Sequence, residues 1–270
     1  MLVETQHFAS QRKNKGKEQK ELMNQPFSYI HPSAEIADNV VIEPFVTISK
    51  DVVIGEGTWI GPHVTIMEGA RIGKNCKIFP GAVISAIPQD LKYKGEKAIV
   101  EIGNNVTIRE YVTVNKGTEA AMKTVIGDNS LLMAYVHIAH DCIIGKNCIL
   151  ANNANLAGHV EIDDFAILGG ATNFQQYCKI GRHVIVSGGC LVNKDIPPFV
   201  RAARHPTTYA GVNSVGLRRR GFNTSLSAGD FITPGRPTMA PHRLGVTAQS
   251  SRALGLTTAR APIRLDSATT

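Results

Sequence analysis

A large aliphatic side chain recurs every six residues along most of the chain, and this interval limits the folds that the chain can form. An α-helix repeats its apolar face near 3.6 residues and a strand repeats at 2, so neither element alone explains a period of six. The pattern therefore predicts a longer repeated unit. It begins with Ile30, Ile36, Ile42, Ile48, Ile54 and Ile60.

Twenty-five positions keep this register, in residues 30–84, 102–114 and 126–192. A second rule lies within the first, because the residue four places after each large aliphatic is usually small or β-branched. Glycine often follows the aliphatic directly, and we expect the turn there to need its backbone freedom. These glycines are Gly55, Gly61, Gly73, Gly103, Gly127, Gly145 and Gly181.

The physical interpretation is an all-β solenoid, a parallel β-helix in which each hexapeptide forms one flat side of a coil. With three sides per coil, residues eighteen apart become vertical neighbours at roughly 4.8 Å, the ordinary spacing between strands. We expect the solenoid to occupy residues 24–200, with outward loops near 85–100 and 115–124 where the register pauses. Residues 201–222 then lead out of the solenoid.

The two ends of the chain depart from the repeat. Residues 1–23 carry the charged run RKNKGKEQKEL, so we expect a disordered leader and treat Met23 as a candidate initiator. Residues 223–270 contain no Lys and no Glu and are rich in Thr, Ala, Ser, Pro and Arg. This composition predicts an atypical C-terminal tail that is poorly ordered.

The net charge of +7 does not indicate nucleic-acid binding, because the leader and the tail supply most of it. No apolar run approaches the roughly 18 to 20 residues that span a bilayer. The first 22 residues also lack the apolar core of a signal peptide. We therefore expect a soluble cytoplasmic protein without a transmembrane segment.

All five cysteines fall at the small position of the repeat. Metal ligands or disulfides would not be expected to follow the packing phase of a repeat, whereas small buried apolar side chains would. We therefore expect all of them in the core, namely Cys76, Cys142, Cys148, Cys178 and Cys190.

The densest polar cluster lies in the stretch LLMAYVHIAHDC. His137 and His140 lie on one wall of the predicted solenoid, and Asp141 follows directly. Eighteen residues after His140 comes Gly158, followed by His159. The repeat therefore predicts that His140 stacks beneath Gly158 with His159 beside it.

This arrangement suits general-base chemistry. A neutral imidazole can remove a proton from a hydroxyl, the carboxylate of Asp141 can fix its tautomer, and a backbone N–H can stabilise an oxyanion. Two other interpretations remain open from the residues alone: polar side chains on a solvated wall, or three histidines that bind a catalytic zinc ion. The first loop, with Asp90 and Lys92, is likewise either part of a site or a solvated excursion.

Four motifs carry a family resemblance. The stretches HIAHDCIIGKNCILANNANLAGHVEIDDFAILGG, PQDLKYKGE, IREYVTVNKGT and GVNSVGLRRRGF resemble those of the acyl-carrier-protein–UDP-N-acetylglucosamine O-acyltransferases of lipid A synthesis, within the hexapeptide-repeat acyltransferases. The resemblance covers roughly residues 24–222. It implies a left-handed parallel β-helix, a homotrimer with active sites between subunits, and transfer of an (R)-3-hydroxyacyl chain from acyl carrier protein to the sugar 3-hydroxyl. It implies no metal and no cofactor beyond the carrier-protein thioester.

The resemblance also implies roles for individual residues. His140 matches the general base, Asp141 its orienting partner, and Gly158 the residue whose N–H meets the oxyanion. Gly188 falls where the family gauges acyl length, which implies a chain of fourteen carbons or more, and Gln175 departs from a histidine often found there. Substrate contacts are implied for Asp90, Lys92, His137, His159 and Gln176, and nucleotide contacts from a neighbouring subunit for Asn213, Arg219 and Arg220.

Three alternatives stay open beside this function. A related enzyme would acylate the amine of an amino-sugar nucleotide, and a metal-dependent β-helix hydratase would contain zinc. A non-catalytic scaffold would turn over nothing. The unusual tail keeps the last alternative open, because family members continue after RRGF with amphipathic helices.

Overall fold

A computed structural model describes residues 27–222 of the chain. The predicted leader, residues 1–23, and the predicted tail, residues 223–270, lie outside the described residues. Within them the chain forms a left-handed parallel β-helix of short strands on three sheets, as expected. Among residues 27–222, no helix has the length and apolar character needed to cross a membrane.

The strands follow one another around the coil, so every third strand joins the same sheet. The first sheet has nine strands: β1 (Tyr29–Ile30), β4 (Thr47–Ile48), β7 (Thr65–Ile66), β10 (Val83–Ala86), β13 (Thr113–Asn115), β16 (His137–Ile138), β19 (Asn155–Leu156), β22 (Asn173–Phe174) and β25 (Leu191–Val192). The second has eight: β2 (Glu35–Ile36), β5 (Val53–Ile54), β8 (Ala70–Ile72), β11 (Ile99–Ile102), β14 (Lys123–Ile126), β17 (Ile143–Ile144), β20 (Glu161–Ile162) and β23 (Lys179–Ile180).

The third sheet continues past the repeat. It has ten strands: β3 (Val41–Ile42), β6 (Trp59–Ile60), β9 (Lys77–Ile78), β12 (Thr107–Ile108), β15 (Leu131–Leu132), β18 (Ile149–Leu150), β21 (Ile167–Leu168), β24 (Ile185–Val186), β26 (Val200–Ala203) and β27 (Thr208–Val212). Neighbouring strands are parallel except β26 and β27, which form an antiparallel pair at the end of the solenoid. A short helix, α1 (Ser214–Arg219), follows.

The six-residue register defines the core. Each of the strands β1–β25 contains one of the twenty-five predicted aliphatic positions, and Ile138 pairs in register with Leu156 one coil above. Ile138 is fully buried, and such a side chain contributes roughly 1.5–3 kcal/mol when it leaves water. The small positions are also buried, and all five cysteines are free thiols in the core, as predicted.

The chain turns at three corners in each coil. We call the turn from the first sheet to the second the first corner, the next turn the second corner, and the turn back to the first sheet the third corner. The third residue after the inward aliphatic has a left-handed backbone, as at Asp141 with φ 58°, Asn147 with φ 56° and Tyr135 with φ 63°. Asparagine and aspartate tolerate this conformation better than most residues.

The prediction that glycine directly after the aliphatic serves backbone freedom is wrong. The left-handed position lies two residues later, and these glycines have no left-handed φ. Six of the seven lie at the second corner, where adjacent coils approach closely. A Cβ on Gly127 would lie 2.6 Å from the carbonyl carbon of Gly145 in the next coil. Glycine suits position 127 because the backbone of the next coil occupies the space of a side chain.

Both loops leave the solenoid at the first corner, on successive coils. One loop, residues 87–98, connects β10 to β11, and the other, residues 116–122, connects β13 to β14. The first corner of the next coils carries the turns after β16 and β19. The loops therefore lie at the same corner of the solenoid as the turns after β16 and β19, which carry His140 and His159.

Replacing Gly127 with alanine should destabilise the protein by about 1–3 kcal/mol, because the added methyl group meets backbone that cannot move without disturbing the next coil. The matched control is Ala151→Gly, which changes the same atom at the same phase of the repeat and should cost about 0.5–1 kcal/mol. Chemical or thermal unfolding measures both. Equal losses for the two variants would show that close approach of the coils is not the constraint.

Candidate active site

The first corner brings together residues that are far apart in sequence. The turn after β16 carries His140 and Asp141, and the turn after β19 carries Gly158 and His159 one coil above. The N–H of His159 donates to the carbonyl of His140 at 3.0 Å. A Cβ on Gly158 would lie 2.6 Å from Nε2 of His140, so only a glycine leaves room for the imidazole. The predicted stacking of His140 beneath Gly158 is present.

The imidazole of His140 is held by a buried carboxylate. Nδ1 of His140 lies 2.8 Å from Oδ2 of Asp141, whose side chain is fully buried. We assign the Nδ1 proton to this hydrogen bond, which leaves the Nε2 lone pair facing Gly158. His140 therefore presents a basic nitrogen in a fixed orientation.

Thr118 completes the surroundings of Asp141, and sequence reasoning missed it. Its N–H donates to Oδ1 at 2.9 Å and its hydroxyl donates to Oδ2 at 2.6 Å. Burial raises the pKa of Asp141, but the hydrogen bonds from Thr118 and His140 outweigh burial and hold the pKa below its usual value. The carboxylate is therefore ionised at neutral pH although it is buried.

His159 and His137 flank this pair. Nε2 of His159 lies 3.8 Å from Oδ2 of Asp141, and its ring stacks on Tyr177 with centroids 4.5 Å apart. Nδ1 of His137 lies 2.7 Å from the hydroxyl of Thr113, and burial lowers the pKa of His137. Both rings are fixed by neighbours, and their roles in substrate binding remain predictions.

The first loop folds back toward the imidazole. Oδ2 of Asp90 lies 3.9 Å from Nε2 of His140, too far for a direct hydrogen bond. The other oxygen of Asp90 accepts the N–H of Lys92 at 2.9 Å, and the Lys92 side chain is exposed. The space beside Nε2 is therefore bounded by a carboxylate from the loop and by the backbone of Gly158.

Two further predicted residues lie on different corners of the solenoid. Gln176 is exposed at the first corner, one coil above Gly158, beside the departing residue Gln175. Gly188 is exposed at the third corner, where a Cβ would lie 3.0 Å from the carbonyl oxygen of Gly170. Their predicted roles in substrate binding and acyl-length selection remain predictions.

The predicted nucleotide contacts lie at the second corner, away from His140 on the same chain. Asn213 is buried and caps α1: its amide oxygen accepts the N–H of Gly216, and its amide nitrogen donates to the carbonyl of His183 at 2.8 Å. Arg219 is exposed, and the guanidinium of Arg220 lies 5.1 Å from the centre of the Phe165 ring. One chain therefore does not bring these residues to its own imidazole.

Three side chains could converge on a metal ion. The candidate ligand atoms of His140, Asp141 and His159 lie within 4.8 Å of one another. However, both oxygens of Asp141 already accept hydrogen bonds, from Thr118 and from His140. A metal ion at this position would have to displace the contacts that orient the imidazole.

Two family descriptions match the chain. The bacterial transferase hexapeptide (six repeats) family matches residues 51–86 and 123–158. The second family, UDP N-acetylglucosamine O-acyltransferase, domain 2, matches residues 195–228. The first match lies on the solenoid, and the second includes β26, β27 and α1.

Curated relatives and solved structures agree with these matches. The acyl-[acyl-carrier-protein]–UDP-N-acetylglucosamine O-acyltransferase of Janthinobacterium is 48% identical over 144 residues. The aligned region covers 53% of this chain and 55% of that protein, so the chain matches about half the length of this relative. The enzyme of the same name from Thiobacillus denitrificans is 50% identical over 205 residues, 75% of this chain and 80% of that protein. A UDP-N-acetylglucosamine acyltransferase structure from Bacteroides fragilis superposes with a TM-score of 0.74, at 51% identity, over 74% of this chain and 79% of that one. Because one relative is half identical across four fifths of its length and the fold agrees, the chain belongs to the UDP-N-acetylglucosamine O-acyltransferase family.

Proposed function

We propose that this protein transfers an (R)-3-hydroxyacyl chain from acyl carrier protein to the 3-hydroxyl of UDP-N-acetylglucosamine, the first step of lipid A synthesis. The observation that carries the proposal is the imidazole of His140, oriented at Nδ1 by a buried carboxylate and open at Nε2 beneath Gly158. The names of the relatives described above support this choice of acyl donor and acceptor.

The reaction begins with proton removal. Nε2 of His140 takes the proton of the sugar 3-hydroxyl while that oxygen forms a bond to the thioester carbonyl carbon. The imidazolium that results is stabilised by Asp141, which stays ionised because its donors hold its pKa low. The Asp141 carboxylate stabilises the transition state more than the ground state, because the imidazole becomes positively charged only as it takes the proton.

The second half of the reaction is collapse of the tetrahedral intermediate. Within residues 27–222, the N–H of Gly158 donates to no protein acceptor, so it is available to the carbonyl oxygen as negative charge develops there. The carbon–sulfur bond then breaks and the carrier-protein thiolate leaves. It takes the proton from the His140 imidazolium, which restores the neutral base.

The nucleotide is bound between subunits of a homotrimer in this proposal. Asn213, Arg219 and Arg220 lie at the second corner and His140 lies at the first, so the two groups can form one site only if they come from different chains. Guanidinium groups suit a diphosphate because they offer paired N–H donors. Asn213 would then contribute by holding α1, since its side chain already caps the helix.

No metal and no cofactor takes part in this mechanism. Proton transfer and oxyanion stabilisation come from side-chain and backbone groups alone, and the thioester of acyl carrier protein is the acyl donor. The proposed partners are acyl carrier protein and the sugar nucleotide, not nucleic acid, and the proposed location is the cytoplasm. Competition between UDP-N-acetylglucosamine and a 3-amino sugar nucleotide in a mixed-acceptor assay tests the alternative acceptor.

Replacing His140 with alanine should lower kcat by about 10²- to 10⁴-fold, because no other group at the site can take the hydroxyl proton at the same place. Consumption of hydroxyacyl carrier protein in the presence of UDP-N-acetylglucosamine measures the rate. His63→Ala, an exposed ring at the third corner, is the matched control and should keep full activity.

Two results would contradict this assignment. Wild-type turnover by the His140→Ala variant would remove the proposed base. Stoichiometric zinc in the purified protein, with activity lost to a chelator and regained on adding zinc, would place a metal ion at His140, Asp141 and His159 instead.

Replacing Asp141 with asparagine should lower kcat by a similar factor, because an amide can turn its N–H₂ group toward Nδ1 and impose the wrong tautomer. Asp38→Asn, at an exposed aspartate, is the control for activity and should keep the wild-type kcat.

The substitution of Asp141 with asparagine should also change how the free energy of unfolding depends on pH. Because the pKa of Asp141 is lowered in the folded state, its ionised carboxylate stabilises the folded protein. This stabilisation is fully present at pH values above the ordinary aspartate pKa, about 3.9. It is lost as the pH falls through the lowered pKa of the folded state. The difference in unfolding free energy from wild type should be constant at neutral pH and shrink in acid.

Replacing Gly188 with methionine should shift the preferred acyl chain from fourteen carbons or more to a shorter one, because a side chain would fill part of the acyl channel. A panel of hydroxyacyl carrier proteins with mass analysis of the products gives chain length and acceptor together. Gly188→Ala, which adds one carbon 3.0 Å from the Gly170 carbonyl oxygen, should have a smaller effect. An unchanged chain preference in both variants would show that Gly188 does not measure length.

A further inference from the structure

The second loop, residues 116–122, reaches into the site through one side chain. Thr118 is buried, with 8% of its surface exposed, although the loop leaves the solenoid. Its hydroxyl and its N–H donate to different oxygens of Asp141, at 2.6 Å and 2.9 Å. A two-point contact of this kind fixes the plane of a carboxylate as well as its position.

The orientation of this carboxylate sets the orientation of the base. Oδ2 of Asp141 accepts both the Thr118 hydroxyl and Nδ1–H of His140, so the two donors share one oxygen. If the hydroxyl were lost, Oδ2 would keep only the histidine and Oδ1 only the Thr118 N–H, so the carboxylate would be held less tightly and could turn about its bond to Cβ. The imidazole would then lose the fixed direction that Nε2 needs for proton transfer.

The loop is itself closed around Thr118. The N–H of Met122 donates to the Thr118 carbonyl at 2.7 Å, and the N–H of Ala120 donates to its hydroxyl oxygen at 3.3 Å. The N–H of Asp141 donates to the hydroxyl of Thr124, just after the loop, at 2.9 Å. Thr118 in the loop thus holds the side chain of Asp141, and Thr124 in β14 holds its backbone.

We propose that Thr118 is a positioning residue for acyl transfer: its hydroxyl fixes the carboxylate of Asp141, and through it the proton-accepting nitrogen of His140. This inference rests on the proposed function for its effect on turnover. The loop then serves catalysis through its contact with Asp141.

The test compares Thr118→Val with Thr118→Ser. Valine keeps the shape and the backbone N–H but removes the hydroxyl, so kcat should fall about tenfold to a hundredfold, as expected for a lost hydrogen bond to a charged group. KM for both substrates should stay unchanged, because the Thr118 hydroxyl is buried against Asp141. Serine restores the donor and should return kcat to within a few-fold of wild type.

A second buried threonine provides the matched control. Thr58 is fully buried on a distant coil, where its hydroxyl donates to the Gly73 carbonyl and accepts the N–H of Cys76. Thr58→Val removes as many hydrogen bonds from the same kind of core and should leave kcat unchanged. A fall in kcat in Thr58→Val equal to that in Thr118→Val would overturn the proposal, because it would trace the loss to general destabilisation.

A measurement without turnover separates this proposal from the proposed function. In protein labelled with ¹³C at aspartate carboxyls, the Asp141 signal, assigned by its loss in Asp141→Asn, should titrate at higher pH in Thr118→Val than in wild type. Thr118→Ser should titrate like wild type. If the chain proved inactive toward every hydroxyacyl carrier protein but the titration shifted, the contact would stand and the proposed function would fail. An unshifted titration together with wild-type kcat in Thr118→Val would overturn the positioning role.

Discussion

Parallel stacking of coils at a fixed register is the constraint on which the rest of this structure depends. Because each inward aliphatic sits directly above the one a coil earlier, the corners of successive coils also align. The carbonyl of His140 therefore accepts the N–H of His159, and the imidazole lies beneath Gly158. A site that most folds build from distant loops is built here by one hydrogen-bonding pattern repeated along an axis.

The three corners have the same backbone but different requirements. At the second corner, six of the eight coils have glycine directly after the inward aliphatic, and a Cβ on Gly127 would meet the backbone of the next coil. The first corner releases both loops and accommodates a histidine beside Asp141. A corner with room for side chains and polar backbone is where a solenoid can place chemistry, and a corner packed on glycine is where it gains rigidity.

The sequence predicts those features that follow from phase and misses those that break it. Ile138 in the core, the buried cysteines and the His140–Gly158 stack all follow from counting in sixes, and all three are confirmed. Thr118 lies four residues after Val114, at the small position of the repeat, so counting predicts that it is buried. Its contact with Asp141 does not follow from counting, because the loop interrupts the register and the distance between the two residues depends on the loop's own turn. The prediction for the glycines after the inward aliphatics was wrong because a recurring glycine can indicate either a left-handed backbone or a lack of space for a side chain. The sequence alone does not distinguish these two causes.

A buried carboxylate in an apolar solenoid is costly unless it is fully hydrogen-bonded. Asp141 meets this requirement with the two donors of Thr118 and with Nδ1 of His140, so the same contacts that make its burial tolerable also determine the tautomer of the base. Stability and reactivity are coupled at this point, because the carboxylate cannot lose a donor without loosening the imidazole. The loop that supplies Thr118 therefore cannot be treated as a free insertion in the repeat.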